Sequence, residues 1–156
     1  MPKDKGVFEF NRLYDVNLEL ALNSVIYGQE MIKLGCCGKP HVRKFFIDKD
    51  LTNELRWITP AKYREASKIS VHSILGISFG FQTSLFRKHM ANLAGKEELA
   101  MSIIYTGRRG AKKDLNVVFM DPEQMRRFVT GLQYIVLKES CQLVLSRKYR
   151  NEESAE

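Results

Sequence analysis

Apolar and polar positions follow a helical period near both ends of the chain and a two-residue period between them. Leu18, Ala21, Leu22 and Val25 repeat at i, i+3, i+4 and i+7, which predicts a short helix over 16–26 that stops near Gly28. Gln29 to Leu34 then reads as a strand. The run GCCGKP, with two glycines and a proline, is a turn. His41 to Ile47 is the next strand, with Arg43, Phe45 and Ile47 on one face and Val42, Lys44 and Phe46 on the other. Asp48 to Asn53 reads as a turn, and Glu54 to Ile58 as a short strand carrying Trp57.

Thr59 to Lys68 is polar and loop-like. Ile69 to Phe79 is rich in branched and aromatic residues, with Gly76 and Gly80 marking a bend or bulge. Phe81 to Glu98 is a long connection with a helical turn at 84–92, and Leu99 to Tyr105 is a strand. The run TGRRGAKKD is a basic hairpin loop. In DLNVVFM, Leu115, Val117 and Phe119 alternate with Asn116 and Val118, the pattern of a half-buried strand. Asp121 then offers an N-cap, Pro122 suits the first helical position and Gln124 completes a capping box. Met125, Phe128, Val129, Leu132 and Val136 follow at helical spacing, predicting a long amphipathic helix through Leu137. A helix, several closely spaced strands and one long helix make an α+β chain: a barrel or sandwich closed by its last helix.

Composition narrows the class. The chain has 156 residues, enough for one domain with a real core. We assign that domain to 13–148, between a flexible N-terminus (1–12) and a polar tail (149–156). The formal charge is +7, which favours acidic partners: nucleic acid or an anionic lipid surface. Of three cysteines, Cys36 and Cys37 are adjacent and Cys141 is distant, so reduced thiols in a cytosolic compartment are expected. Two unmodified thiols in a tight turn is the simpler reading of Cys36 and Cys37; acylation at a membrane is the alternative. No stretch has the apolar length of a membrane span, the N-terminus is not a signal peptide, and Pro2 is incompatible with N-myristoylation.

Catalysis finds little support. His41, His72 and His89 are scattered, and no nucleophile context, paired-carboxylate motif, phosphate-cradling glycine loop or metal-ligand spacing is present. A non-enzyme with no catalytic residues, no cofactor and no metal is therefore expected. No recognition helix or aromatic RNA-binding motif stands out, so nucleic acid is not the expected partner.

The pattern resembles a pleckstrin homology (PH) domain, most closely the subgroup at the N-terminus of phosphoinositide-specific phospholipases C. The resemblance rests on EMIKLG, VRKFFI, ELRW, SVHSILGISFGFQTSLF, SIIY before the basic loop, and LNVVFMDPEQMRRFVTGL, in that order, covering about Gly28 to Leu137. The small acylated PH proteins of apicomplexan parasites share this subgroup and overall size, although their N-terminal glycine–cysteine signal is missing here. The resemblance implies an antiparallel barrel or sandwich of about seven strands, capped by the C-terminal helix and preceded here by an extra helix. It also implies a monomeric module on the cytosolic face of a membrane. Its partner would be an anionic phospholipid headgroup, phosphatidic acid or a phosphoinositide, held by a basic patch at the open end. A protein-binding scaffold without specific lipid binding is the alternative.

By that resemblance Lys33 and the basic residue before the paired phenylalanines are headgroup ligands. Lys44 takes the second place if the FF pairs are aligned, Arg43 if one loop residue is shifted; strand parity with Val42 and Phe46 favours Lys44. Lys39 adds charge in the first loop, and Lys62 and Arg64 would complete the pocket. Arg108, Arg109, Lys112 and Lys113 form a secondary basic loop. Lysine and arginine on hairpin ends supply the dense positive donors that phosphate needs. The second lysine usual in the phospholipase-type domains is replaced by Gly35, and the loop aromatic is absent, which counts against stereospecific polyphosphate recognition; a smaller headgroup, such as the monoester of phosphatidic acid, is compatible with a few lysines. Phe81, Leu85 and Phe86 surround Arg87 and Lys88 in a segment that either packs over the barrel, the preferred reading, or enters the membrane interface. Trp57 is read as core or edge packing.

Overall fold

The computed structural model describes residues 16–58 and 67–154, with backbone alone for 51–52 and 140–154. The flexible segment proposed for 1–12 lies outside these residues. Helix α1 (Leu18–Tyr27) begins because the Asn17 side chain accepts from the N–H groups of Glu19 (2.9 Å) and Leu20 (3.3 Å), and it ends at Gly28. Seven strands follow: β1 (Gln29–Leu34), β2 (Pro40–Asp48), β3 (Leu51–Ile58), β4 (Ser67–Ser70), β5 (Ile74–Phe79), β6 (Ala100–Thr106) and β7 (Lys112–Val118). Helix α2 (Ser84–His89) lies between β5 and β6, and α3 (Pro122–Ser154) ends the described chain.

The strands form one antiparallel sheet in the order β4-β3-β2-β1-β7-β6-β5. The β2–β3 hairpin is tighter than its polar sequence suggests. Asp48 Oδ1 accepts from the Asp50 N–H (2.8 Å), which leaves Lys49 and Asp50 as the whole turn and lets β3 start at Leu51. The branched run after β4 is not one strand. A single 3₁₀ turn, Val71–Ser73, interrupts it: Ser70 Oγ accepts from the His72 N–H (3.2 Å) and Ser73 Oγ donates to the Ser70 carbonyl (2.6 Å). The expected irregularity at Gly76 is present as a register shift against β6.

The inner face of the sheet and the apolar stripe of α3 make the main core. Met31, Phe45, Ile47, Leu55, Ile77, Met101, Ile103, Leu115 and Val117 meet Met125, Phe128, Val129 and Leu132, all buried. Each such side chain contributes roughly 1.5–3 kcal/mol of burial. Trp57 stacks on Phe45 at 5.5 Å between ring centres, at the edge of this core. The start of α3 is fixed by Asp121 Oδ1, which accepts from the Gln124 N–H (2.8 Å), while Gln124 Oε1 accepts from the Met120 N–H (2.8 Å) and its Nε2 donates to the Glu30 carbonyl (3.0 Å). The capping box thus also ties the helix to β1. The helix continues to Ser154, well past Leu137.

Helix α1 packs across α3. A Cβ on Gly131 would run into the carbonyl of Ala21 and the side chain of Val25, so this crossing requires glycine. A second, smaller core lies on the outer face of the sheet, where Leu34, Phe86, Leu93, Ala100 and Val118 are buried together. It buries β7 on both faces from Leu115 to Val118, where alternation alone predicted a half-buried strand; the α2 segment is what covers the second face. Among the described residues no helix is long and apolar enough to cross a membrane.

Candidate functional site

Helix α3 plugs one end of the barrel. At the other end, β1 hands over to β2 through residues 35–39 and β6 to β7 through 107–111. Strand register decides which basic side chains meet there. Lys33 pairs with His41 and with Val117, Met31 pairs with Arg43, and Tyr105 pairs with Lys113. Paired residues share a face. Lys33, His41, Arg43, Tyr105 and Lys113 therefore lie on the face of the buried Met31 and Val117, at the mouth.

The local field is strongly positive. Burial lowers the Lys33 pKa from its ordinary value, and Arg43 lowers it further against a smaller opposing effect of Cys36. Partial burial also lowers that of His41, aided by Arg43, Lys39 and Lys33. The Tyr105 hydroxyl is pushed upward by burial and by Asp114. Among the described residues, Lys33, Lys39, Arg43, Lys88 and Lys113 form no ion pair with a carboxylate. Arg43 Nη1 instead donates to the carbonyl of Val42 (2.8 Å).

The structure brings together Lys33, Lys39 and Arg43 of the expected ligands. Lys44 is elsewhere. It pairs with Glu30 on the outer face and lies against Gly28, in a groove shared with Tyr27 and Phe46. Parity did group it with Val42 and Phe46, but that is the outer face of β2; the inner one is marked by Phe45 and Ile47. Arg43, not Lys44, shares the face of Lys33. Lys62 and Arg64 lie outside the described residues. Arg108 and Arg109 are exposed on a 3₁₀ turn, and Lys112 and Lys113 open β7. Phe86 is fully buried, with Phe81 and Leu85 packed against the same cluster and the Phe81 and Phe86 rings 5.3 Å apart. Phe86 thus has no free surface for a bilayer, which agrees with the preferred reading, packing over the barrel, and leaves it out of the alternative of membrane insertion; the exposed apolar side chain of this segment is Met90.

One groove of about 580 Å³ opens at the mouth. The pairing of β1 with β7 is confined to Ile32–Val118 and Lys33–Val117, and the groove lies where the two strands part. Lys33, Lys88, Lys113, Ser84, Tyr105 and Asp114 are among its lining residues. Ser84 and Lys88 come from α2; Ser84 went unnoticed in the sequence, and Lys88 was noted only as a charge in the amphipathic segment, not as part of the site. The usable signal was Thr83, an N-cap type just before a turn whose apolar and basic faces separate at Phe86 and Lys88.

Thr83 fastens that turn to the sheet. Its Oγ1 donates to Asn116 Oδ1 (2.7 Å, buried), as does Ser102 Oγ (2.7 Å), while Asn116 Nδ2 donates to Asp114 Oδ1 (2.8 Å). The loop from β1 to β2 leans on the end of α2: Gly38 has φ 79°, and a Cβ there would overlap the ring of His89. Cys36 and Cys37 are exposed in this loop as free thiols, their sulfurs 3.8 Å apart in a weak thiol–thiol hydrogen bond. Such an arrangement can hold an anion; no group of three or more His, Cys, Asp or Glu able to hold a metal occurs among the described residues.

Comparison with solved structures supports the same architecture. Inner Membrane Complex Sub-compartment Protein 3 from Toxoplasma gondii superposes with a TM-score of 0.57 over 85% of this chain and 93% of that one, at 14% identity. The chain has a pleckstrin homology fold. No protein-family model matches it. In sequence the PH-fold chain is similar to mouse 1-phosphatidylinositol 4,5-bisphosphate phosphodiesterase eta-2, 29% identical over 133 residues. It is also similar to mouse inactive phospholipase C-like protein 2, 30% identical over 115 residues. These alignments take in 85% and 74% of this chain but only 8% and 10% of those proteins, so it spans about a tenth of their length or less. The PH fold and these relatives together support a general lipid- or protein-interaction module.

Proposed function

We propose that this chain is a non-catalytic recruitment module. It binds an anionic phospholipid headgroup, phosphatidic acid or a phosphoinositide, at the mouth of its barrel and works at the cytosolic face of a membrane. The observation that carries this reading is a half-buried lysine, Lys33, set beside Arg43 and near Lys39 and forming no ion pair with a carboxylate among the described residues. Like charges gathered in a partly desolvated place are unfavourable alone and favourable around an anion. Near an anionic leaflet each basic side chain adds about 1 kcal/mol, so these residues with Arg108, Arg109, Lys112 and Lys113 decide between solution and surface. The similarity to phosphatidylinositol-bisphosphate phosphodiesterases is compatible with a phosphorylated lipid, as part of a longer protein or alone.

The test is vesicle co-sedimentation near physiological salt, with phosphatidic acid, individual phosphoinositides and phosphatidylserine at matched surface charge. Preference for one headgroup, lost in Lys33→Ala/Arg43→Ala, is the expected result. Equal weak binding to all, vanishing with salt, would refute a defined site.

A second reading, a protein-binding scaffold, draws on a different place. Tyr27 is 74% exposed beside the groove lined by Ile26, Phe46 and Ile58, where an aromatic edge and an apolar floor suit a peptide. Vesicle binding that survives substitution of Tyr27 keeps the two readings apart.

A further inference from the structure

We infer that the phosphate seat of this chain is the groove between β1 and β7, and that Lys88 and Ser84 of α2 complete it together with Lys33 and Lys113. This rests on the headgroup-binding reading above and adds where the phosphate sits and which insert residues hold it.

Lys33 stands between two rival seats. Toward β2 it faces Arg43 and His41; toward β7 it faces the groove. On the β2 side Arg43 spends a donor on the carbonyl of Val42 at 2.8 Å. On the β7 side there is a cavity of about 580 Å³, within the roughly 300–1,000 Å³ of small-ligand sites. Lysines from three separate elements line it: Lys33 from β1, Lys88 from α2 and Lys113 from β7. Among the described residues Asp114 is the one carboxylate in the lining, and it already accepts from Asn116 Nδ2 at 2.8 Å.

The insert is built to hold Lys88 in place. Ser84 and Lys88 are four residues apart and share one face of α2, as their joint presence in the groove requires. Phe86, between them, points to the opposite side and is fully buried against the sheet. Thr83, just before Ser84, is bonded to buried Asn116, whose neighbour Leu115 also lines the groove. Thr83 and Phe86 thus fasten the short helix that carries Ser84 and Lys88 to the sheet that forms the groove wall. A phosphomonoester offers up to two negative charges and three terminal oxygens. Three ammonium groups with the hydroxyls of Ser84 and Tyr105 match that demand in charge and donor number.

The ligand chemistry is a phosphomonoester, and it has two sources, a lipid headgroup or a free small molecule. We would titrate the ¹⁵N-labelled full chain with glycerol 3-phosphate and follow backbone amide shifts. Co-sedimentation with phosphatidylcholine vesicles containing phosphatidic acid would then compare wild type, Lys88→Ala, Ser84→Ala, Lys44→Ala and Arg108→Ala. Shifts centred on Ser84, Lys88 and Lys113 are expected, with about a fivefold loss of vesicle binding in Lys88→Ala. The Lys44→Ala chain should bind like wild type. Free glycerol 3-phosphate that displaces the chain from vesicles at micromolar concentration would assign the groove to the soluble monoester; displacement only at millimolar levels would assign it to the lipid. Shifts confined to His41 and Arg43, with Lys88→Ala no weaker than the Arg108→Ala control, would overturn the inference and leave headgroup binding standing. Failure of the wild type to bind any anionic vesicle, together with no amide shift in the groove on adding glycerol 3-phosphate, would remove both.

Discussion

At the helix-plugged end, and along the β3–β4 edge, cations are answered. Arg126 and Arg127 reach Glu123 at 3.7 and 3.2 Å, and Arg56 and Lys68 reach Glu54 at 3.6 and 3.3 Å. At the mouth, Lys33, Arg43, Lys88 and Lys113 have no such partner among the described residues, and Lys33 is half-buried as well. The same residue types thus serve two ends differently. Paired surface charges contribute little and are replaceable. Unpaired ones under partial burial detract from stability until an anion arrives.

The contrast can be broken by substitution, starting where the effect is largest. Phe86→Ala should cost about 3–5 kcal/mol, read as a fall in Tm, because it empties the centre of the outer cluster and frees the groove wall. Lys33→Ala/Arg43→Ala should weaken binding to anionic vesicles about thirtyfold, at roughly 1 kcal/mol per residue, with Tm unchanged or higher. The pH behaviour of Lys33 sharpens this. Its folded pKa is depressed, so its charge disfavours the fold at every pH below that value, and the cost fades as pH rises through it toward the unfolded lysine value. A Lys33→Met chain should therefore melt above wild type at neutral pH, with the gap closing in alkali; a gap that widens instead would contradict an unpaired lysine. Gly131→Ala gains helix propensity but strikes Ala21, for a net loss of about 1 kcal/mol in chemical denaturation and no loss of lipid binding. Glu123→Gln should change stability by only a few tenths of a kcal/mol, since its pairs are exposed.

Strand β1, the α3 cap and the inward set of β7 were readable from the chain, because each follows a local rule of period or capping. Strand parity grouped Lys44 with Val42 and Phe46 correctly but did not tell that their face is the outer one, away from Lys33, and for a definite reason. Phe45 and Phe46 put an aromatic on each face of β2, so periodicity could not tell the core face from the one beneath α1. The double burial of β7 and the place of Ser84 and Lys88 at the groove were illegible for another. They depend on where a connection between β5 and β6 comes to rest, and nothing inside a strand's own pattern reports what covers its second face. The buried Thr83–Asn116 bond, between residues 33 positions apart, is the kind of contact that one sequence does not announce.

The joint between β1 and β7 has a kinetic side. Val117 must find Lys33 across on the order of eighty residues, and closing a loop of that length costs about 4 kcal/mol of chain entropy before constant terms. Little pairing rewards it, since the ladder there is confined to Ile32–Val118 and Lys33–Val117. The β1–β4 meander and the β5–β7 meander with its insert can each gather through neighbouring hairpins, leaving their union as the slow event on the folding path. A chain cut between the two meanders should therefore reassemble from its halves, at a rate that depends on their concentration.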